Sequence, residues 1–183
     1  MNIAEVKQTM FDQGIPAEVI AQFNVPASEA GTPKEQIEFA EQMDRLLSKA
    51  QILSVMEEQG CNKNAPSAAF MQKMDGKSVA ERLDVLNAMD ITESAHGRIN
   101  ADGTLSIFWN FADNGKYFCV CPAIGELKEP TAVSLTYCGC CSGHVKFHFE
   151  HQLGVKLRLK ETVSSPLSSN GEKYCEHLFT ILA

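Results

Sequence analysis

Five of the seven cysteines in this 183-residue chain lie between Tyr117 and Val145, as a Cys119-x-Cys121 pair and a Cys138-x-Cys140-Cys141 cluster, with His144 just behind. Zinc takes four ligands in a tetrahedron, and thiolates suit a structural site. Cys138 and Cys141 are separated by an ordinary zinc spacer, and Cys119 and Cys121 would converge with them if both stood on one face of a strand. The leading expectation is therefore a zinc ion held by Cys119, Cys121, Cys138 and Cys141, with Cys140, His144 and Cys175 in reserve. A second chemistry uses the same residues. If a helix begins near Cys141, its unpaired backbone N–H groups favour thiolate, and His144, three residues on, would serve as base for a Cys141 nucleophile. The plainer alternative is that the thiols are small buried hydrophobes. A stripe of His144, His148 and His151 is a lesser metal candidate, and His177 reads as a hydrogen-bonded core residue.

Other side chains point to a ligand. Phe108, Trp109, Phe111, Tyr117 and Phe118 cluster in sequence, and Trp109, Phe111 and Tyr117 are the candidate walls of a small-molecule cavity. No glycine-rich phosphate loop is present: Gly139 and Gly143 flank Cys140-Cys141-Ser142, and no Lys-Ser/Thr follows.

These residues need elements to place them. Ile3, Val6 and Met10 mark a short helix over residues 2–12, and a further turn follows Pro16. Thr32, Pro33 and Glu35 form a capping box that opens an apolar stripe through Ile37, Ala40, Met43, Leu47, Ala50, Leu53 and Met56. That pattern predicts one helix from Thr32 to Gln59, long enough to form a dimer face. Short helices follow over Ser67–Met74 and from the Ser78/Glu81 capping box, with a helical continuation over 90–99 and a capping role for His96.

Periodicity then changes. Leu105, Ile107, Trp109 and Phe111 alternate as a strand, Asp113-Asn114-Gly115 makes a hairpin turn, and Tyr117–Cys121 returns as its partner. A helix is predicted over 142–152 and stopped by Gly154. Strands follow from Val155 and over Lys173–Leu182, the last with Cys175, His177, Phe179 and Ile181 on one face. The fold class is α+β, a helical N-terminal half (1–100) packed beside a mainly antiparallel, cysteine-rich half (101–183), the two forming one compact unit.

With the cysteine segment and closing strand in view, residues 101–183 resemble the 4-vinyl reductase-type small-molecule-binding family. The likeness lies in a Cys- and Gly-containing segment, Cys138 to Gly143, that leads into a helix; in a strand with a following acid, Val155 to Glu161; and in a closing Cys175-x-x-x-Phe179-x-Ile181 strand. The family's usual Cys-x-Phe spacing is longer here, and the helical half lies outside the likeness. The resemblance implies an α+β fold around a hydrophobic ligand cavity, commonly dimeric, with a cysteine-ligated zinc near the mouth in some members. A weaker similarity is to the 2-amino-thiazoline-4-carboxylate hydrolase-like family, which carries helices before a cysteine-bearing α+β half.

Net charge is -7, from 23 acidic and 16 basic residues, which argues against a nucleic-acid-backbone binder. Lys146, Lys156, Arg158 and Lys160 alternate with apolar residues and read as a solvated face. No stretch has the length of a membrane span, and MNIAEVKQTM lacks the pattern of a signal peptide, so the reading places the protein in the cytoplasm with reduced thiols. The leading function is a small-molecule-binding or sensory protein with a structural zinc, its partner a small hydrophobic molecule. The alternatives are a cysteine-dependent hydrolase of a small amide, thioester or ring substrate, and a noncatalytic homodimeric interaction protein.

Overall fold

The computed structural model describes residues 1–26, 28–89, 95–125, 127 and 131–182. Six helices come first: α1 (Ile3–Asp12), α2 (Ala17–Ile20), α3 (Pro33–Leu46), α4 (Lys49–Met56), α5 (Ala68–Gln72) and α6 (Val79–Asn87). Strands β1 (His96–Ile99) and β2 (Leu105–Trp109), a small hairpin of β3 (Ala112–Asp113) and β4 (Lys116–Tyr117), helices α7 (Pro122–Gly125) and α8 (Leu135–Leu153), and strands β5 (Lys156–Ser164) and β6 (Cys175–Leu182) complete the chain. The α+β class expected from the change in periodicity is what the chain forms, with helices packed beside a mainly antiparallel sheet. No helix among the described residues is long and apolar enough to cross a membrane.

The main sheet has the order β1-β2-β6-β5, antiparallel throughout. The last strand therefore enters the middle of the sheet, between β2 and β5. Leu105, Phe179 and Leu159 align across it in one row, and Ile107, His177 and Thr162 in the next. Alternation puts these rows on the face that meets α8, while Lys156, Arg158 and Lys160 are exposed.

Helix α8 is the centre of the molecule. It packs on β5 on one side and on α3 and α4 on the other. Ten of its residues, from Thr136 to Leu153, are buried. A helix buried all round needs small side chains where neighbours come close. Gly139 and Gly143 supply them: a Cβ on Gly143 would lie 2.0 Å from the Gln59 carbonyl oxygen, and one on Gly139 would lie 2.9 Å from Met56 Cβ. Gly154 ends α8 in the left-handed region at φ 71, as its position after Leu153 predicts.

Several local expectations change. The apolar stripe from Ile37 to Met56 is carried by two helices. Leu47 is extended (φ -116, ψ 151), and Ser48 opens α4 with its own capping box to Gln51. Of the stripe, Ile37, Ala40, Met43, Leu47 and Met56 are buried in the chain's own core, Leu53 is partly buried and Ala50 is exposed. Helix α8 begins at Leu135, seven residues earlier than the cap expected at Ser142, so the whole Cys138–Cys141 cluster is helical. His96 stands on β1 against Phe108, at 6.0 Å between ring centroids, rather than capping a helix. Of the helical continuation expected over 90–99, residues 96–99 form strand β1 instead, and 90–94 lie outside the described residues. The hairpin turn holds, with Asn114 (φ 48) and Gly115 (φ 78) both left-handed, but β4 ends at Tyr117, short of both cysteines.

Candidate functional site

The helical start of α8 decides the fate of the thiols. Successive residues on a helix turn by about 100°, so Cys138, Cys140 and Cys141 leave α8 in different directions. Each joins a different apolar cluster. Cys138 packs with Ile37, Ala40, Val133 and Tyr137. Cys140 packs among the N-terminal helices with Met43 and Val55. Cys141 lies against the sheet-side core with Trp109, as does Cys175. Cys119 and Cys121 follow β4 in irregular backbone, where the Cys121 amide donates to Cys119 Sγ at 3.4 Å and Cys121 Sγ meets the Tyr137 hydroxyl at 3.7 Å.

The expected zinc site is corrected accordingly. Among the described residues, no group of three or more His, Cys, Asp or Glu side chains is arranged to hold a metal ion. That finding removes the zinc, the Cys119, Cys121, Cys138, Cys141 ligand set, and the His144, His148, His151 alternative. The thiols are neighbours in electrostatic reach, since Cys175 raises Cys141, and Cys119 and Cys121 raise Cys138. A thiolate site needs sulfurs that converge on one point about 2.3 Å away, and a helix that sends its cysteines into separate cores does not provide one. All seven cysteines are free.

Burial also sets their ionisation. Desolvation pushes Cys138 up to about 12 and pushes Cys141 and Cys175 well above the ordinary thiol value, with smaller contributions from adjoining thiols. At neutral pH these are thiols, not thiolates. Cys141 sits in the second turn of α8, past the unpaired N–H groups that would favour its anion. His144 is turned toward Trp109, and no hydrogen bond between it and Cys141 is found among the described contacts. The thiol–imidazole contact that does exist joins Cys175 Sγ to His177 Nε2 at 3.5 Å, with His177 Nδ1 at 3.3 Å from Thr162 Oγ1. His177 is fully buried, as its place in the closing strand predicts, and desolvation holds it down to about 3. It is a neutral, hydrogen-bonded core imidazole.

The candidate site lies on the other side of Trp109. A cleft of about 430 Å³ opens between α8, the loop that follows α4, α5 and the end of α6. Phe70, Leu86, Met89, Val145 and Phe149 form its apolar wall, with Asn62, Ser67 and Gln152 as neutral polar groups. His144 stacks on Trp109, with centroids 6.2 Å apart and planes 29° apart, and His148 follows one turn later at 4.6 Å from His144. His148 Nε2 lies 3.0 Å from the Asn62 carbonyl oxygen. His144 Nδ1 is buried without a hydrogen-bond partner. Burial first, then the neighbouring His148, push His144 below the ordinary imidazole range; the Asn62 carbonyl opposes this and Lys63 adds to it. The far edge of Trp109 meets His177 at 6.2 Å and 89°, so the indole separates the cleft from the buried Cys175–His177 pair.

Of the aromatic residues expected to line a cavity, only Trp109 does so here. Phe111 stacks on Phe118 (6.0 Å, 24°) and Tyr117 meets Tyr174 edge-on (5.6 Å, 75°), both around the small hairpin. The lining residues that sequence reasoning missed, Phe70, Met89, Val145 and Phe149, come from elements distant in the chain. The one available signal was the His144/His148 spacing on a helix face.

A second cleft, of about 350 Å³, lies between α3, α4, α8 and β5. Its polar groups already serve one another: Lys49 pairs with Glu161 at 3.2 Å, and the Thr136 hydroxyl donates to Asp44.

Against known proteins, no family model, no curated protein and no solved structure matches this chain.

Proposed function

We propose that this protein binds a small, largely apolar molecule with a planar ring in the cleft beside Trp109. The observation that carries the reading is the Trp109–His144–His148 arrangement, an aromatic face and two adjoining imidazoles set into an apolar wall, with one buried imidazole nitrogen unpaired. A volume of about 430 Å³ is within the range of small-ligand sites, and such sites combine apolar walls with a few polar groups that orient the ligand. A buried polar atom with no partner calls for an explanation, and a ligand or ordered water is the usual one. Among the described residues, the lining of the competing cleft has no comparable unpaired group. The resemblance of residues 101–183 to 4-vinyl reductase-type proteins, which would imply a hydrophobic ligand cavity, points the same way.

Trp109 is the single tryptophan in the chain, which makes the test simple. Titration with a neutral ring compound such as naphthalenemethanol should change Trp109 emission saturably. Phe70→Ala should weaken the midpoint about threefold to tenfold, the usual cost of removing one aromatic contact. A Trp109 signal that shows no saturable response across a panel of ring compounds would overturn the reading.

A further inference from the structure

The cleft does not share the acidic character of the whole molecule. The chain carries net charge -7. Among the described residues, the lining of the cleft has no Asp or Glu, and its titratable members are the two imidazoles of His144 and His148. The nearest ammonium is that of Lys63, in the loop after α4; it donates to the Glu58 carbonyl at 2.6 Å and acts on His144 electrostatically. Farther round α8, Lys146 is engaged by Glu57 at 3.9 Å and Glu58 at 2.8 Å, which keeps those carboxylates occupied away from the cleft. Glu150 is committed to the Leu157 amide and to Lys156. From α6 and β2 the cleft receives Leu86, Met89 and Trp109, none of them charged, and His177 behind the indole is neutral.

Two imidazoles 4.6 Å apart repel when protonated, and nothing acidic in the lining relieves them. An anion placed between them would do so and would accept the hydrogen bonds that charged imidazoles donate. From this complementarity we infer that the ligand is an aromatic carboxylate, its ring against Trp109 and the apolar wall, its carboxylate facing His144 and His148. The inference rests on the proposed binding role and names the ligand's class. Burial and the neighbouring imidazole disfavour the charged form of His144, and a bound anion offsets that cost, so the anion should bind more tightly as pH falls while a neutral isostere should not.

Calorimetric titration of the intact chain with naphthoate, naphthalenemethanol and naphthylmethylammonium, at about pH 6 and about pH 8, reads this directly. Naphthoate should bind at least about fivefold more tightly than the alcohol at the lower pH, with the advantage shrinking at the higher pH, and the ammonium should bind weakest. His148→Gln should shrink the naphthoate-over-alcohol preference at the lower pH to about twofold or less. Gln152→Glu, which adds a carboxylate to the lining one turn beyond His148, should weaken naphthoate and favour the ammonium. Equal or tighter binding of the alcohol at both pH values would overturn the carboxylate inference and leave the binding role standing. Failure of all three probes to bind would overturn both.

Discussion

Three titratable side chains packed between α8 and the sheet, His177, Cys141 and Cys175, are neutral. His177 is fully buried and Cys141 and Cys175 are partly buried, and desolvation keeps each in the protonation state that carries no charge. For His177 the folded value, about 3, lies below the ordinary imidazole value of 6.5. Between those limits the unfolded chain binds the extra proton and the folded chain does not, so stability rises with pH across the window and is lost as pH falls through it. The slope for one such group is roughly 1.4 kcal/mol per pH unit. Denaturant titrations at about pH 7 and about pH 5 should show this loss, and His177→Gln should flatten it; an unchanged slope in the variant would mean that other groups govern acid sensitivity. The thiols give a second outcome. Cys61 is exposed, whereas Cys141 and Cys175 are partly buried and held as thiols. Brief alkylation at neutral pH followed by mass mapping should mark Cys61 first and leave Cys141 and Cys175 untouched until the protein unfolds. Fast labelling of Cys141 would restore it as a nucleophile.

At the level of elements, α8 explains both what sequence reasoning reached and what it missed. The capping boxes at Thr32 and Ser78, the Asn114-Gly115 turn, the Gly154 stop and the alternation of Cys175, His177 and Phe179 are local devices, each needing only neighbouring residues, and all are present. The start of α8 is not marked so locally. Ser134 makes no side-chain cap hydrogen bond, and the helix opens with a run rich in cysteine and glycine whose helicity comes from packing against α3, α4 and β5. A helix that starts only at Ser142 leaves the cysteines free to converge on a metal; one that starts at Leu135 turns them apart about its axis. The cleft is legible in the sequence only at Trp109 and in the His144/His148 spacing, because its other walls meet through tertiary packing. The glycines of α8 offer a test. Gly143→Ala would force its methyl group onto the Gln59 backbone, so it should destabilise the fold by about 1–3 kcal/mol despite alanine's better helix propensity. Gly139→Ala, whose obstacle is the Met56 side chain, should cost less. The reverse order in denaturant midpoints would contradict the close approach of α4 and α8.

For the whole molecule, the helices and sheet hold themselves together through apolar cores that share α8, with no ion needed to join them. Excess chelator should therefore leave the melting temperature unchanged, and added zinc should not raise it as a site-specific ligand would. A chelator-induced drop of several degrees would bring back a metal role that the arrangement of the thiols speaks against. What the assembled molecule adds beyond its elements is the cleft, which exists only because α5, α6, the loop after α4 and α8 meet around Trp109.

Whether that cleft is a binding site is tested most directly by methyl and indole NMR of the labelled protein against a small library of ring compounds. Saturable shifts should gather at the Trp109 indole and at the methyl groups of Leu86, Met89 and Val145, with those of Leu47, Ile52 and Leu135 in the second cleft unmoved. Shifts confined to that second cleft, or spread over the surface without saturation, would contradict the account.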